Sequence, residues 1–494
     1  MKKRKAAKKS AARGKKAPPR KAARKAPVRR PRPAPPQDRF LPAAWKGKRA
    51  LVLGLGRSGF HAAVLLRRKG FRVLVQDDKQ RRDLPFADKL PEGVVLEAGG
   101  RMEKVLTCGF AVKSPGLLPG ASVLAKLKEA GIPVFSELEV ALAFCPPDVR
   151  VVAVTGTNGK TTTAHLTEAV FRAARRRVHL VGNVGTPLSA EAARVRKGDV
   201  LVLEVSSYQL EDSRRFRPSS AAILNITSDH VDHHGSMAAY VAAKARVFRD
   251  MDRGGVCVFN SADPLCFGLA RTCRARRLLF ALSPSTAGSA WVEGGKIFAR
   301  LPGEKKPRKL APPRLPGDHN LENAMAAALL ALSQKVPDAA IAKAFRAFRG
   351  VEHRIEDCGS HHGLDCINDS KATNVDSTLV ALKSLDERAG KILLILGGLA
   401  KPGGFAALRP LVSRCAKAVL TIGSAAAKIE EDLAGAAPVF PCETLAQAVE
   451  VAFRIGQKGE TLLLSPACAS MDQFRDFEHR GRAFKELVET TKPR

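Results

Sequence analysis

The segment VTGTNGKTTT at residues 154–163 carries the residue types that phosphate chemistry needs. Its glycines let backbone N–H groups approach a phosphate, Lys160 would neutralise the phosphate charge, and the Thr161 hydroxyl could reach Mg²⁺. The spacing differs from a standard Walker A loop, because Val154 stands where that motif has its first glycine. We predict that the loop binds a nucleoside triphosphate through Gly156, Thr157, Asn158, Gly159, Lys160, Thr161 and Thr162.

The segments on either side of this loop support a phosphate site. The apolar run at 149–156 predicts a strand, and the segment at 163–174 predicts a helix. In a strand–loop–helix arrangement, backbone N–H groups and the helix N-terminus hold phosphates. A tight turn without a ligand is the alternative, and this context disfavours it.

Candidate metal ligands follow two later apolar segments. Glu204 ends the predicted strand LVLE in the apolar segment at 199–207, and ligand sites of α/β proteins lie at the carboxyl ends of strands. The segment after the predicted strand at 221–227 offers Asp229, His230, Asp232, His233 and His234. We expect His230 to contact a metal and the others to be solvent-exposed or structural. Histidine would be an unusual ligand for Mg²⁺, which prefers oxygen.

A second glycine motif lies near the start of the chain. Gly54, Gly56 and Gly59 satisfy G-x-G-x-x-G between a predicted strand at 50–53 and a predicted helix, and Asp77 follows the next strand, predicted at 72–76. Such glycines let a diphosphate approach a helix N-terminus, and the acidic residue meets a ribose or base. NAD and a UDP-sugar share these groups, so the motif leaves both open.

The order of predicted elements gives the fold class. Strands alternate with helices in three successive blocks, which predicts an α/β protein with parallel sheets. The length of 494 residues also suits about three domains. The predicted divisions are a basic tail at 1–40, a Rossmann-like domain at 45–144, a central nucleotide-binding domain at 145–349 and a C-terminal Rossmann-like domain at 350–494.

The tail contributes much of the formal net charge of +36, with 17 Lys or Arg against one acid in residues 1–40. Its composition cannot bury a core and predicts disorder. It also lacks the apolar segment of a secretory signal. A solvated extension, an arm that contacts nucleic acid or another anionic surface, and a transit peptide are the alternatives.

The rest of the composition is that of a globular protein, and no apolar run reaches the roughly 18 residues of a membrane-spanning helix. The ten cysteines form no C-x-x-C pair, and Cys145 and Cys415 lie in apolar contexts. We therefore expect reduced, mostly buried thiols and a cytoplasmic location.

Several long motifs resemble the Mur ligases, enzymes that build the peptide of bacterial cell-wall precursors. In the central block these are TGTNGKTT, GNVG (182–185), LEVSSYQL (203–210), LNITSDHVDHH (224–234) and YVAAKARVF (240–248). In the third block GVEHRIE (350–356), NDSKATN (368–374), GG-x-x-K (397–401) and LLSPACASMDQFRDFEHRGRAF (463–484) resemble the D-glutamate-adding members. The resemblance covers residues 45–490.

The resemblance implies an ATP-dependent, amide-forming ligase. ATP would phosphorylate the alanine carboxylate of UDP-N-acetylmuramoyl-L-alanine, and the D-glutamate amine would attack the acyl phosphate. It also implies that the front glycines serve UDP, that two Mg²⁺ ions take part, and that the chain acts as a monomer. Another Mur-type or folylpolyglutamate ligase is the alternative enzyme, and a nucleic-acid-binding protein built on the tail is the alternative from another class.

The family motifs assign roles to particular residues. Lys160, His230 and Lys244 would be catalytic, with Lys244 carbamylated so that it helps to position Mg²⁺. The implied metal ligands are Thr161, Glu204, His230 and Lys244 as its carbamate. ATP would also meet Asn320, Asn323, Arg354 and Asp369. The UDP substrate would meet Gly54, Leu55, Gly56, Arg57, Ser58, Asp77, Asp78, Ser114, Gly116 and Asn183. D-Glutamate would meet Lys371, Thr373, Lys401, Ser470 and Phe477.

Three features depart from the family pattern. Leu399 and Ala400 replace a more polar pair before Lys401, so the shape of that loop stays open. Met471 replaces a more usual leucine, which is a tolerable exchange. The basic tail has no counterpart in the pattern.

Overall fold

The computed structural model describes residues 45, 47–183, 185–284, 288–388, 390–401 and 403–491. The predicted basic tail at 1–40 lies outside these ranges. The described residues form three α/β domains, each built on its own parallel-rich sheet, in agreement with the predicted fold class.

The first domain is a doubly wound sheet. Its strands are β1 (Arg49–Leu53), β2 (Arg72–Gln76), β3 (Val94–Glu97), β4 (Phe110–Lys113) and β5 (Val134–Ser136). They pair in the order β3-β2-β1-β4-β5, and every pairing is parallel. The helices are α1 (Arg57–Arg68), α2 (Ser122–Glu129) and α3 (Glu137–Leu142). The glycine turn after β1 therefore lies where the strand order reverses, the usual place for a nucleotide.

The middle domain carries the largest sheet, with the order β14-β13-β12-β11-β10-β9-β6-β8-β7. The strands are β6 (Arg150–Thr155), β7 (Val178–Gly182), β8 (Val200–Glu204), β9 (Ser220–Ile223), β10 (Val256–Asn260), β11 (Arg276–Phe280), β12 (Ala290–Glu293), β13 (Lys296–Ala299) and β14 (Arg308–Leu310). The helices are α4 (Lys160–Ala173), α5 (Leu188–Glu191), α6 (Ser207–Glu211), α7 (Val231–His234), α8 (Met237–Arg249), α9 (Pro264–Thr272), α10 (Asp318–Ser333) and α11 (Asp338–Ala347). Only the hairpin strands β12 to β14 pair antiparallel within this described sheet.

The third domain has the order β15-β16-β20-β17-β18-β19. The strands are β15 (Glu356–His361), β16 (Leu364–Asn368), β17 (Ile392–Gly397), β18 (Ala416–Ile422), β19 (Val439–Glu443) and β20 (Thr461–Leu464). The helices are α12 (Val375–Ser384), α13 (Arg409–Cys415), α14 (Ala426–Leu433), α15 (Leu445–Ile455) and α16 (Phe477–Thr490). Apolar clusters cover both faces of this sheet, as continuous apolar strands require.

Several predicted elements have different bounds in the structure, and the strand predicted at 221–227 is Ser220–Ile223. The apolar segment at 199–207 forms a strand only as far as Glu204, the residue predicted to end it, because Ser206 and Gln209 form a capping box that starts α6. The apolar segment at 324–333 lies in α10, which begins at Asp318, where an acidic side chain suits a helix N-terminus. The capping box and Asp318 place polar side chains at the starts of α6 and α10.

Polar contacts join the first domain to the middle domain. Lys113 Nζ lies 2.8 Å from Asp212 Oδ2, and its side chain is 1% exposed. The Glu139 carboxylate accepts hydrogen bonds from the backbone N–H groups of Arg214 and Arg215. Burial raises the pKa of Glu139, and these N–H donors oppose that rise. We call this set of contacts the interdomain lock.

Two composition-based expectations bear on the whole chain. All ten cysteines fall within the described residues and are free, and nine of them are buried. Among helices in the described ranges, none is long and apolar enough to cross a bilayer.

Candidate active site

A cavity of about 480 Å³, which we call the first cavity, lies between the first and middle domains. It is lined by Gly54, Gly56, Arg57, Ser58, Gln76, Asp77, Asp78, Lys79, Ser114, Pro115, Gly116, Leu117, Gly182, Asn183 and Gln209. Every residue predicted to meet the UDP substrate is in this set except Leu55, whose side chain is buried. The structure brings the predicted residues together, and their contacts with a ligand stay predictions.

The glycine turn of the first cavity is tightly packed on one side and open on the other. A Cβ at Gly59 would lie 1.9 Å from the Gly54 carbonyl oxygen, so only glycine fits there. A Cβ at Gly56 would meet nothing within 4 Å, because that position faces the cavity. The turn therefore leaves room beside the backbone N–H groups for a diphosphate.

Asp77 shapes this turn as well as lining the cavity. Its Oδ2 accepts a hydrogen bond of 2.7 Å from the Leu55 N–H, and its Oδ1 accepts one from the Lys79 N–H. Leu55 thus contributes through its backbone. Sequence reasoning missed Gln76, Lys79 and Gln209 as lining residues; the first two flank the acidic pair, and Gln209 lies inside a quoted motif.

A cavity of about 250 Å³, which we call the second cavity, lies between the middle and third domains. It is lined by Asn158, Gly159, Thr162, Leu224, Asn225, Thr227, Phe280, Leu315, Pro316, His319, Asn320, Glu322, Asn323, Gly350, Val351, Arg354, Ile355, Asp369, Lys371, Ala372, Ser377 and Val380. The predicted ATP residues outside the loop, Asn320, Asn323, Arg354 and Asp369, are all present. Lys371, predicted for D-glutamate, lines this cavity too.

The loop between β6 and α4 has the backbone of a phosphate cradle. Gly159 has φ of +82°, and a Cβ there would lie 2.3 Å from Asn323 Oδ1. The Lys160 ammonium donates to the carbonyl oxygens of Gly156 and Thr157, at 3.0 and 2.6 Å. Burial lowers the pKa of Lys160, which the nearby Glu204 carboxylate opposes. Lys160 therefore lies against the loop that is predicted to bind phosphate.

Arg354 and Asp369 supply buried charge at the third-domain wall of the second cavity. Arg354 Nε is buried and has no hydrogen-bond partner among the described residues, which suits an anionic ligand. Burial raises the pKa of Asp369 to about 7, although Ser465 donates a hydrogen bond to its carboxylate. An unpartnered guanidinium N–H and a glycine cradle fit a nucleoside triphosphate.

Glu204 lies between the two cavities. Its Oε1 accepts a hydrogen bond of 3.1 Å from Asn183 Nδ2, and Lys371 Nζ donates to Thr161 Oγ1 at 2.9 Å. Burial would raise the pKa of Glu204, but the Lys371 and Lys160 ammonium groups and hydrogen bonds from Asn183 and Thr161 bring it below its ordinary value. The neighbouring cations therefore favour the ionised form of the buried Glu204, although burial lowers the pKa of Lys371 itself to about 7.

His230 and Lys244 lie on the other side of the loop. His230 Nδ1 is 2.7 Å from the Tyr208 hydroxyl, and burial lowers the pKa of His230 to about 4. Lys244 is buried, and its Nζ donates to the Gly156 carbonyl oxygen at 2.7 Å. Burial, then the Lys160 charge, lowers the pKa of Lys244 well below its ordinary value. Burial therefore shifts both side chains toward their neutral forms.

These donors fit Mg²⁺. The Glu204 carboxylate and the Thr161 hydroxyl offer oxygen atoms of the kind that Mg²⁺ prefers, and a neutral imidazole at His230 can add nitrogen. Neither Glu204 nor His230 belongs to the groups of three or more His and acidic side chains that converge within the described residues. The assignment of one ion to each of the two residues stays a prediction.

The residues predicted for D-glutamate are partly assembled. Lys371 Nζ lies 5.3 Å from the centre of the Phe477 ring. Leu399 and Ala469 exchange backbone hydrogen bonds of 2.8 and 3.0 Å, which ties the loop of Lys401 to the segment of Ser470. Thr373, Lys401, Ser470 and Phe477 line neither of the two cavities described above. Leu399 and Met471, which depart from the family pattern, are both exposed and lie on the two segments that this pairing joins.

Comparison with known proteins covers the three domains separately. The family described as Mur ligase MurD-like, N-terminal domain matches residues 48–136. The Mur ligase middle domain matches 154–331, and the Mur ligase, glutamate ligase domain matches 353–468. UDP-N-acetylmuramoylalanine–D-glutamate ligase of Elusimicrobium minutum is 44% identical over 459 residues, which cover 91% of this chain and 100% of that protein. This chain belongs to the Mur ligase family.

Other relatives of this Mur ligase carry the same name. The UDP-N-acetylmuramoylalanine–D-glutamate ligase of Koribacter versatilis is 40% identical over 449 residues, covering 90% of this chain and 97% of that protein. The one of Anaeromyxobacter dehalogenans is 41% identical over 456 residues, covering 90% and 98%. The sequence-based identification of the family is therefore confirmed.

Solved structures agree with the fold of this Mur ligase. UDP-N-acetylmuramate–alanine ligase from Thermotoga maritima matches with a TM-score of 0.58 at 20% identity, over 90% of this chain and 100% of that one. MurF ligase from Thermotoga maritima in complex with ADP matches with a TM-score of 0.56 at 15% identity, over 88% and 97%. The three-domain α/β architecture is common to all three.

Proposed function

We propose that the chain joins D-glutamate to the alanine carboxylate of UDP-N-acetylmuramoyl-L-alanine, with cleavage of ATP, in peptidoglycan precursor synthesis. One observation carries the proposal: Glu204 contacts Asn183 of the first cavity and lies beside Thr161 and Lys371 of the phosphate loop and second cavity. A carboxylate bound in the first cavity would there meet the terminal phosphate of a nucleotide in the second. Relatives of the full chain bear the name of this activity.

In this proposal the first cavity binds the UDP part of the substrate. The open side of the glycine turn at Gly56 receives the diphosphate, and the Arg57 side chain lies beside it. Asp78 and Ser114 face the nucleoside. Asn183 orients the alanine carboxylate, since it lines this cavity and already donates a hydrogen bond to Glu204.

The second cavity binds ATP. Backbone N–H groups of the loop and the N-terminus of α4 hold the phosphates, and Lys160 exchanges its loop carbonyls for phosphate oxygens. Arg354 adds a guanidinium from the third domain, while Asn320 and Asn323 face the nucleoside. These cations offset the negative charge that gathers when a phosphoryl group moves to a carboxylate.

Mg²⁺ would supply electrostatic stabilisation of that transfer, held by Thr161 and Glu204 and, for a second ion, by His230. Lys244 is suited to a carbamate, because a buried neutral amine can add CO₂ and release one proton. The product is an anionic carboxylate-like group beside Gly156 and the loop. It would attract a cation that the ammonium form repels.

D-Glutamate binds on the third domain. Its two carboxylates require cations and hydroxyl groups, which Lys371, Lys401 and Ser470 provide. The amine then attacks the acyl phosphate, phosphate leaves, and an amide forms. The tie between Leu399 and Ala469 holds the two segments that carry Lys401 and Ser470 side by side.

We propose a cytoplasmic monomer, because one chain supplies the walls of both cavities. The alternative enzyme is a sibling ligase that adds another amino acid. The basic tail would act separately, through salt-dependent contact with nucleic acid or another anionic surface.

The test is phosphate release from ATP and Mg²⁺ with UDP-N-acetylmuramoyl-L-alanine, comparing D-glutamate, L-glutamate, L-lysine and meso-diaminopimelate. Release that requires D-glutamate supports the proposal, and release with another amino acid assigns a sibling activity. Lys160→Ala should lower kcat by at least about 100-fold, as loss of transition-state charge stabilisation does. The exposed Lys197→Ala is the matched control and should retain activity. Near-normal kcat in Lys160→Ala would reject the phosphate role of the loop.

A further inference from the structure

Three side chains with metal-ligand atoms converge outside the residues predicted to bind Mg²⁺. Glu211, His233 and His234 each place one ligand atom within 4.8 Å of the others. His233 Nε2 lies 2.9 Å from Glu211 Oε2, and His234 Nδ1 lies 3.9 Å from Glu211 Oε1. We call these three residues the His–Glu cluster. The sequence prediction expected both histidines to be exposed or structural, and the structure shows them 6% and 1% exposed.

The fold brings the His–Glu cluster together from two short helices. Glu211 ends α6, whose capping box fixes its start at Ser206. The two histidines end α7, a single turn between left-handed residues at His230 and Gly235. The carboxylate therefore faces two neighbouring imidazoles at the point where both helices end.

The geometry points to a binding site for Zn²⁺ or a similar borderline transition-metal cation at Glu211, His233 and His234. Two imidazole nitrogens and one carboxylate are a ligand set of catalytic and regulatory zinc sites, in which a fourth position stays open to water. Nitrogen ligands also separate this site from Mg²⁺, which prefers oxygen atoms. The inference is independent of the proposed ligase activity.

The present distances are close to those that a metal needs. Bonds of about 2.0–2.1 Å in a tetrahedral site separate ligand atoms by roughly 3.3 Å. The Glu211–His233 pair is already closer than this. The Glu211–His234 distance is measured to the other carboxylate oxygen and would have to close by about half an ångström. The Glu211 side chain is 28% exposed, so its rotation can bring a carboxylate oxygen toward both imidazoles.

The neighbours of the cluster leave its ligand atoms available. Arg246 donates to the backbone carbonyl of Glu211 and not to its carboxylate. Lys113 is paired with Asp212. Ser207 Oγ lies 3.0 Å from His234 Nε2, the ring nitrogen away from Glu211, so it can orient that ring as hydrogen-bond partners of metal-bound histidines do.

Tyr208 connects the His–Glu cluster to His230. Its ring centre lies 4.2 Å from that of His233, and its hydroxyl lies 2.7 Å from His230 Nδ1. A cation on the cluster would hold α7 against α6 and so restrict the residue that precedes α7, His230. Occupancy should therefore alter how His230 responds to Mg²⁺.

The test is calorimetric titration of the full-length chain with Zn²⁺ in saturating Mg²⁺, followed by Co²⁺ substitution and visible absorption. We expect one tight Zn²⁺ per chain and tetrahedral Co²⁺ bands. Glu211→Gln and His233→Gln, which keep side-chain volume, should each weaken binding at least about 10-fold. The matched control is Glu352→Gln in the other converging group, Glu352, His353 and Glu356, and it should bind as the unchanged chain does.

Each of three other results would contradict the proposed Zn²⁺ site. Unchanged Zn²⁺ affinity in Glu211→Gln and His233→Gln would place the ion at the thiols or at the Mg²⁺ ligands instead. Loss of binding in Glu352→Gln alone would assign it to the other group. Absence of Zn²⁺ binding to a folded chain, checked by circular dichroism, would mean that the cluster is a hydrogen-bonded network only.

Discussion

Lys371 Nζ donates a hydrogen bond to Thr161 Oγ1 across 2.9 Å, although 210 residues separate the two along the chain. Lys371 belongs to the third domain and Thr161 to the first turn of α4 beside the phosphate loop. The same ammonium group helps to hold the Glu204 carboxylate ionised. A group predicted to bind the amino acid thus touches the groups predicted to bind phosphate and metal.

Lys371→Ala should therefore impair both D-glutamate binding and phosphoryl transfer. We expect the KM for D-glutamate to rise and kcat/KM to fall by at least about 100-fold, since a buried charged contact contributes about 3 kcal/mol. Steady-state phosphate release at varied D-glutamate measures both parameters. Lys383→Ala, an exposed lysine of α12 in the same domain, is the control. A normal KM for D-glutamate in Lys371→Ala would contradict the assignment.

The glycine turn of the first cavity gives a paired prediction. Gly56→Ala places a methyl group in the cavity without a clash, so the melting temperature should stay within about 2 °C while the KM for the UDP substrate rises. Gly59→Ala forces its Cβ against the Gly54 carbonyl, so it should destabilise the chain by several degrees. Thermal unfolding and substrate titration of both variants separate the two effects. Equal loss of stability in both would argue against an open diphosphate site at Gly56.

Substitution of Lys244 tests whether this side chain forms a carbamate. Lys244→Ala should lose turnover, and short carboxylic acids such as acetate should restore part of it by occupying the space beside the Gly156 carbonyl. Phosphate release with and without added acid is the measurement, and the exposed Lys343→Ala serves as the control. If acids restore nothing, and ¹³C-labelled CO₂ gives no carbamate signal in the unchanged chain, then Lys244 acts as an amine.

Asp369 links stability to pH. Its pKa is raised to about 7 by burial, above the roughly 3.9 of an unfolded chain, so the folded state binds more protons between these values. The free energy of unfolding therefore falls as pH rises through this window. Asp369→Asn removes that fall, so its melting temperature relative to the unchanged chain should increase from pH 5 to pH 7.5.

At pH 7.5, Asp369→Asn should raise the free energy of unfolding by about 1–2 kcal/mol, which is typical when a destabilising functional residue is replaced. Activity should drop at the same time, because Asp369 lines the second cavity. The exposed Asp148→Asn is the control and should show no pH-dependent difference. A constant difference between Asp369→Asn and the unchanged chain at all pH values would refute the linkage.

The sequence predicted the elements that local patterns specify. The strand at 72–76 matches β2 at both ends, and the glycine turn and its lining residues fall in the first cavity. Periodicity and glycine spacing are local signals, so a single sequence carries them. The predicted strand end at Glu204 is confirmed, and the apolar segment continues to residue 207 without forming a strand because the Ser206–Gln209 capping box starts α6.

Contacts between distant segments could not be predicted from local patterns. Nothing near Lys371 in the chain points to Thr161, and nothing near Glu211 points to His233 and His234. The polar contacts of Asp77 with backbone N–H groups depend on the exact path of the turn. The Lys371–Thr161 contact arises where the third domain packs against the middle domain. The other contacts arise where loops and short helices of one domain meet, and residue spacing encodes neither kind.

The interdomain lock gives the two cavities different properties as targets for inhibitors. The walls of the first cavity come from domains joined by Lys113–Asp212 and by the buried Glu139 carboxylate, so a ligand meets a preformed surface there. The walls of the second cavity meet through Lys371 and the segment around Arg354. An inhibitor of the first cavity would gain affinity by fitting a preformed surface. An inhibitor of the second cavity would also bridge two domains and hold them together.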